Sequence, residues 1–564
     1  ESRGLGDVYK RQDIGTGIAK ILKAEGIDWV STFPVCKVNN AFGKEKLPMV
    51  MMRDDRYAVA LADGFSRVTS GKQIGVCTVQ GGVNAAGLQV AYAGLAQAYE
   101  DNTPVLCITD GVPAGNSENS EFDLTSSLKS VAKWYGYIDK PERTPEFMRK
   151  AFTMLRNGKP GPVIIAVPDA SATYDENIDI YEPVKSWKSS PNNDDVKTAV
   201  DLIIDSKKPI IYAGEGVLYS DATDELLEFV ELSNIPVVTT LKAKGAFPEN
   251  HNLSIGVRGK HTSHFINESD LILSIGSSLS PGRFSHAIPN ANSKKIIVAN
   301  INEDHINKIY KSAHALVGDA KLTLIELVRE MKNKTSGKGI AAKISQKEID
   351  SEKEKDNEIY KGPLKSTDKP INPYRVYNDL MKVLDGNNSF VTHESGNTRD
   401  QLSTVYETLI PRGFLGWGNV SSLGFSLPAT MAAKIAYPNR ACIAVTGEAG
   451  LGYMLGNLEV PVREKIGITV VHISNGGFSG YGPGFWGDGH DPYTHEVQGY
   501  DTVDMSKVLG DMGLHSERIE EPDEIIPALN RAIEANNKGI PSYIEFICIQ
   551  YPVYGDWLSG THGE

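Results

Sequence analysis

The stretch RACIAVTGEAGLGYMLGNLEVPVREKIGITVVHISNGG, Arg440 to Gly477, sets two apolar runs on either side of a helix-length segment. Both runs are short and rich in Val and Ile, so each predicts a strand buried on both faces. Strand, helix and strand in that order belong to a parallel sheet. Glu448 and Asn475 each follow directly on one of those strands. That is the edge where open α/β sheets bind their ligands.

The same grammar extends outward. Downstream of Pro370 it gives SFVTHESGN and YIEFICI around the opening stretch. Between Asp194 and Glu330 it gives KPIIYAGEG, IPVVTT, LILSIGS and KKIIVANI, with helices between them. From Ile14 to Ala172 it gives WVSTF, QIGVCTV, PVLCITDG and PVIIAVP, again alternating with helical patterns. The fold class is therefore α/β, with three parallel-sheet domains expected at 13–185, 190–332 and 370–564. Residues 333–369 are charged and poor in large apolar side chains, and read as a linker with room for a surface helix. Residues 1–12 show no periodic pattern and are expected to be a non-native leader.

The 564 residues carry a formal net charge of −13, which argues against nucleic acid and anionic membranes as partners. Five scattered cysteines without a CxxC pair suit a reducing compartment and offer neither a disulfide framework nor a zinc site. No apolar run approaches the roughly 18 residues of a membrane span. A cytoplasmic protein is expected.

Chemistry concentrates at Glu448 and Asn475. One carboxylate oxygen, one amide oxygen and nearby carbonyls form a hard oxygen set suited to Mg2+ or Ca2+, with phosphate and water completing the shell. Gly447, Ala449 and Gly450 are small enough for peptide N–H groups to approach a phosphate at the start of the helix. A diphosphate held through a metal is the expected ligand.

Here the chain resembles the thiamine diphosphate-dependent enzyme superfamily, on its acetolactate synthase-like branch. That family's cofactor motif opens with Gly-Asp-Gly and ends in an Asn pair roughly 27 residues after the acid, and here Asn475 stands 27 positions after Glu448. The resemblance implies Glu448, the Asn475 side chain and the Gly477 carbonyl as metal ligands, with Ala449, Gly450 and Phe478 beside the cofactor. This chain departs from the motif at Glu448 (Asp in the family), Ala449 (Gly) and Ser474 (Asn). VTHESGNTRDQ resembles the loop that meets the diphosphate, which implies Gly396, Asn397 and Thr398 near its oxygens. NVSSLGFSLPATMAAK resembles the segment that bends the cofactor, with Leu423 wedged between its rings and the Ser421 carbonyl accepting from its 4'-amino group.

The first block is similar to the family's pyrimidine-binding domain. The family sets a Glu eight residues before the Asp of an Ala-Asp-Gly signature, to hydrogen-bond N1' of the aminopyrimidine. Here the signature is Ala62-Asp63-Gly64, and the residue eight before Asp63 is Asp55. The shorter acid makes the same contact if the backbone closes by about 1.5 Å, one C–C bond, or if water bridges the gap. The alternatives are a displaced neighbour, Asp54, or activation without a carboxylate. Gln80, Gly81 and Asn84 fall where the family has a turn beside the cofactor.

In the middle block, GEGVLYS is a lone GxG, more often a turn than a nucleotide loop. GVRGKHTSH and GSSLSPGRFSH lie where some family members bind FAD, others ADP or nothing, and flavin is not favoured. The resemblance implies a lyase or carboligase acting on a small 2-oxo acid or ketone. A diketone hydrolase and a cofactor-binding protein that has lost catalysis are the alternatives. Val35, Cys36, the loop after Asp110, and Tyr481, Phe485, Trp486 and His490 are expected to line the substrate pocket. His490 either relays protons or sits on a surface loop, and the tail with Trp557 and His562 either covers the entrance or frays. The family's shared sites imply a homodimer at least, commonly a homotetramer.

Overall fold

A computed structural model describes residues 11–83, 86–113, 124–177, 179–282, 285–417, 419–476 and 503–549. The chain divides after Trp187 into two compact units. Three six-stranded sheets, all parallel, make up the three-domain α/β architecture expected from the sequence.

The first unit holds one sheet, with strands Val30–Thr32, Met49–Met51, Gly75–Val79, Val105–Asp110, Trp134–Tyr137 and Val163–Val167. Numbered along the chain, they lie in the order 2-1-3-4-6-5. The central strands Val105–Asp110 and Val163–Val167 are buried at every residue, as helices on both faces require. Helix Asp55–Val68 starts at Asp54, whose carboxylate caps it by accepting the Tyr57 N–H at 2.8 Å. It packs on helix Ala86–Glu100 through a buried charge cluster. Arg67 donates to both oxygens of Asp63, at 2.6 and 2.9 Å, and to Asp101 at 2.8 Å. Asp63, the acid of the Ala-Asp-Gly signature, is thus a structural anchor. Arg11–Asp13 pairs antiparallel with Thr173–Asp175.

The second unit holds the other two sheets. Strands Pro209–Ala213, Val237–Thr239, Ser254–Gly256, Leu271–Ile275, Lys295–Asn300 and His314–Val317 lie in the order 3-2-1-4-5-6. The GEG turn after the first of these is satisfied internally, the Gly216 N–H donating to the Gly276 carbonyl at 3.0 Å. A side-chain carbon at Gly214 would lie 2.4 Å from that carbonyl oxygen, and one at Gly216 would lie 2.7 Å from the Gly276 Cα. Gly276 itself has a φ of 65°. The crevice between the first and fourth strands is therefore closed by glycine backbone.

The last sheet has strands Ser389–His393, Phe414–Leu415, Ala441–Thr446, Thr469–Ser474, His515–Ile519 and Ser542–Ile547, in the order 2-1-3-4-6-5. The first and third domains thus share one strand order. Between Ala441–Thr446 and Thr469–Ser474 the helix comes in pieces: Glu448–Met454, a 3-10 turn Leu455–Leu458, and Glu459–Arg463. Pro461 cannot donate a helical hydrogen bond, and the restart puts it in a first turn, where none is needed.

The charged segment 333–369 contains a helix, Gln346–Lys361, that bridges two cores. Ile349 packs in the middle domain's core and Tyr360 in the C-terminal domain's. Further ties join these two domains. Arg412 donates to Glu215 at 3.1 Å, the Thr408 N–H to Glu249 at 2.7 Å, and Arg258 pairs with Asp400 at 2.6 Å.

Candidate active site

In a sheet of order 2-1-3-4, the strand connections part between the first and third strands, and the crevice opens there. In the C-terminal domain those strands are Ser389–His393 and Ala441–Thr446, and their ends deliver Glu394 and Gly447–Glu448 to one place. Glu448 is buried. Its Oε1 accepts the N–H of Asn475 at 2.6 Å and of Gly476 at 3.0 Å, so the acid and the Asn that stand 27 positions apart in the motif meet. Gly450 packs against Glu394, where a side-chain carbon would lie 2.5 Å from Glu394 Cγ. Ala449 is half-buried beside it.

Glu394 lies in VTHESGNTRDQ, where the sequence alone marks no role for it. It is fully buried. Its carboxylate accepts the N–H groups of Ser426 at 2.8 Å, Gly424 at 3.1 Å and Ser395 at 3.3 Å. Burial raises its pKa, and those N–H groups hold it back. Glu394 thereby ties the start of helix Ser426–Ala436, and the segment carrying Leu423, to the end of the first strand. The signal that could have found it is an acid at a strand's carboxyl end, just before a glycine. Gly396 has a φ of 94° and nothing within 4 Å of its Cβ position, leaving open space at the start of helix Asn397–Val405. Thr398 is buried and donates to the Glu394 carbonyl at 3.3 Å. Ser421 is exposed, its hydroxyl hydrogen-bonded to that of Ser395, and Leu423 is half-buried.

The donor set fits a hard cation and a diphosphate. No group of three or more His, Cys, Asp or Glu among the described residues makes a self-contained metal site. A cation at Glu448 and Asn475 would draw its remaining oxygens from carbonyls, phosphate and water. Gly447, like Gly396, has nothing within 4 Å of its Cβ position. Small residues and open space thus coincide at the crevice, as close approach of a phosphate to peptide N–H groups requires.

In the N-terminal domain, Asp55 is buried at the first residue of its helix and accepts the Gln80 N–H at 3.0 Å. Burial raises its pKa; the Gln80 N–H opposes the rise and the Asp54 charge adds to it. A side-chain carbon at Gly87 would lie 2.7 Å from Asp55 Oδ1, so the pocket around this carboxyl is tight. Gln80 and Gly81 are half-buried at the end of strand Gly75–Val79. Next to them Asp110 is a second buried carboxyl, also raised by burial, which accepts the Lys37 N–H at 3.0 Å. Asn84, Gly477, Phe478, Tyr481, Phe485, Trp486, His490, Trp557 and His562 lie outside the described residues.

Comparison with known proteins agrees with this arrangement. Residues 12–130 match the thiamine pyrophosphate enzyme N-terminal TPP binding domain, 196–327 the central domain, and 394–546 the C-terminal TPP binding domain. A probable acetolactate synthase large subunit of Methanocaldococcus jannaschii is 32% identical, over 92% of this chain and 89% of its own length. An acetolactate synthase large subunit of Buchnera aphidicola is 28% identical, over 86% of each chain. A glyoxylate carboligase of Escherichia coli O157:H7 is 26% identical, over 91% of this chain and 89% of its own. The three domain matches follow one another in family order, and the chain belongs to the thiamine pyrophosphate (thiamine diphosphate) enzymes, on their acetolactate synthase-like branch.

Proposed function

We propose that this protein is a thiamine diphosphate- and Mg2+-dependent lyase or carboligase that decarboxylates a small 2-oxo acid, joins it to a second carbonyl compound, or does both. Thiamine diphosphate, when bound, supplies a nucleophilic carbon and an electron sink for breaking and making carbon–carbon bonds. Glu448, Asn475 and the Gly477 carbonyl hold the metal. Gly396, Asn397, Thr398, Ala449, Gly450 and Phe478 surround the diphosphate, and Gln80, Gly81 and Asn84 the aminopyrimidine. The Ser421 carbonyl and Leu423 fix the cofactor's bend. His490 belongs to the substrate loop.

Asp55 is the observation that carries the reading. A carboxyl sealed from water, with its ionisation opposed by burial, can hold a proton at the pyrimidine N1' and give it back. The names of the relatives, acetolactate synthase and glyoxylate carboligase, support 2-oxo acids as substrates. The working form is at least a homodimer, commonly a tetramer, in the cytoplasm.

The test is a substrate panel on protein loaded with thiamine diphosphate and Mg2+. Labelled CO2 from pyruvate or glyoxylate, with new acyloins, is the expected result. A carboxylate product from a diketone, without CO2, would favour hydrolysis. No turnover, with no acceleration of C2-proton exchange on the bound cofactor, would leave only a binding protein.

A further inference from the structure

Val35 stands out at the carboxyl edge of the N-terminal sheet. It has a φ of 92°, and its side chain is 65% exposed. A β-branched residue in the left-handed region is strained, and such strain persists only where the surroundings enforce it. With that exposure, Val35 gains little from packing within its own chain. Glycine would occupy the position at no steric cost.

The surroundings that enforce it are specific. Two residues on, the Lys37 N–H donates to Asp110 Oδ1 at 3.0 Å. Between them Cys36 is buried, its thiol 3.9 Å from the same carboxylate oxygen. Asn39 closes the loop, donating to Thr32 Oγ1 at 2.9 Å and accepting from Thr78 Oγ1 at 2.8 Å. The backbone after Val35 is tied to the strand ends through Lys37 and Asn39, and the valine is the one large apolar side chain of the loop turned out, between the exposed Pro34 and Lys37. It emerges where an α/β sheet meets its ligand. Asp110 packs on Gly81, where a side-chain carbon would lie 2.2 Å from the Asp110 carbonyl oxygen, and the adjoining Gln80 N–H donates to Asp55 at 3.0 Å, so the loop shares its sheet edge with the carboxyl assigned to the cofactor.

We propose that Val35 is a specificity-determining residue that limits the carbon chain of the 2-oxo acid, and that Asp110 is the positioning residue that holds it outward. The proposal rests on the functional reading above. An apolar branch presented beside the reacting region excludes or accommodates single methylene groups of the substrate, a discrimination that commonly reaches 10–200-fold.

The experiment compares wild-type protein with Val35→Gly, both loaded with thiamine diphosphate and Mg2+, on glyoxylate, pyruvate, 2-oxobutanoate and 2-oxovalerate. For the variant, kcat/KM for 2-oxobutanoate relative to pyruvate should rise by about tenfold or more, with thiamine diphosphate affinity unchanged and Tm raised by the relief of strain. Asp110→Ala should shift the ratio in the same direction. Asp110→Asn, which keeps an acceptor for the Lys37 N–H, should restore the wild-type ratio, a rescue that a general loss of stability would not give. An active Val35→Gly protein with ratios within twofold of wild type overturns the assignment and leaves the functional reading standing. Wild-type protein that binds thiamine diphosphate yet turns over none of the acids overturns the functional reading, and this assignment with it.

Discussion

Three peptide N–H groups converge on Glu394, and the sign of its titration follows from what surrounds it. Burial lifts its folded-state pKa above the ordinary 4.5. Below pH 4.5 the group is protonated whether the chain is folded or not, and burial costs nothing. As pH rises past 4.5 the unfolded chain ionises first, so folding stability falls until the buried group ionises too. Glu394→Gln removes that slope: the Tm of wild type should decline relative to the variant between pH 4.5 and neutrality, as thermal melts across that range would show. Gly450→Ala should be destabilised by about 1–3 kcal/mol through overpacking against Glu394, more than the helix preference for alanine returns. Its lowered Tm should come with weaker thiamine diphosphate binding in calorimetry. Glu448 and Asn475 were legible in the sequence because both follow apolar runs at a spacing that carries meaning. Glu394 was not, since a single acid in HESGN has no periodicity to set it apart from a turn residue.

The Gln346–Lys361 helix shows how an element can hide behind its charge. Its buried positions Ile349, Asp356 and Tyr360 recur at helical spacing, but lysines and glutamates on the other faces mask the stripe. Asp356 does unusual work for such a segment. Helix Lys260–Glu268 begins after Gly259, which has no side chain to cap it. Asp356 reaches across to accept the His261 N–H at 3.3 Å and the His261 ring Nδ1–H at 2.5 Å. Burial opposes its ionisation, but these donors outweigh it and hold the carboxyl below 3.8. Asp356→Ala should cost about 0.5–2 kcal/mol, the range for a lost helix cap. Because the folded-state pKa is depressed, that contribution is present above pH 3.8 and disappears as pH falls through the folded value. The Tm gap between the two proteins should close in acid. A charge-rich sequence predicts a solvated face, and only the partner element reveals that one acid is turned inward.

At the scale of the molecule, three α/β blocks were legible because strand and helix patterns are local. The strand orders were not, since they depend on which way each crossover turns. Nor could the pattern show that the first and last domains repeat 2-1-3-4-6-5 while the middle one runs 3-2-1-4-5-6. The middle and C-terminal domains should melt together, joined by the bridging helix and by Arg412–Glu215. Arg412→Met strands Glu215 against Lys242 alone, 3.8 Å away. Breaking a buried pair costs about 3–5 kcal/mol, so scanning calorimetry should resolve a second transition within residues 188–564.

The glycine backbone that shuts the middle domain's crevice has a further consequence. Gly214, Gly216 and Gly276 touch one another so closely that an added methyl on any of them must push two strands' loops apart. An exhaustive survey of single amino-acid changes would therefore find a cluster of intolerant sites in the domain given no chemistry, and conservation there would record mutual contact rather than catalysis.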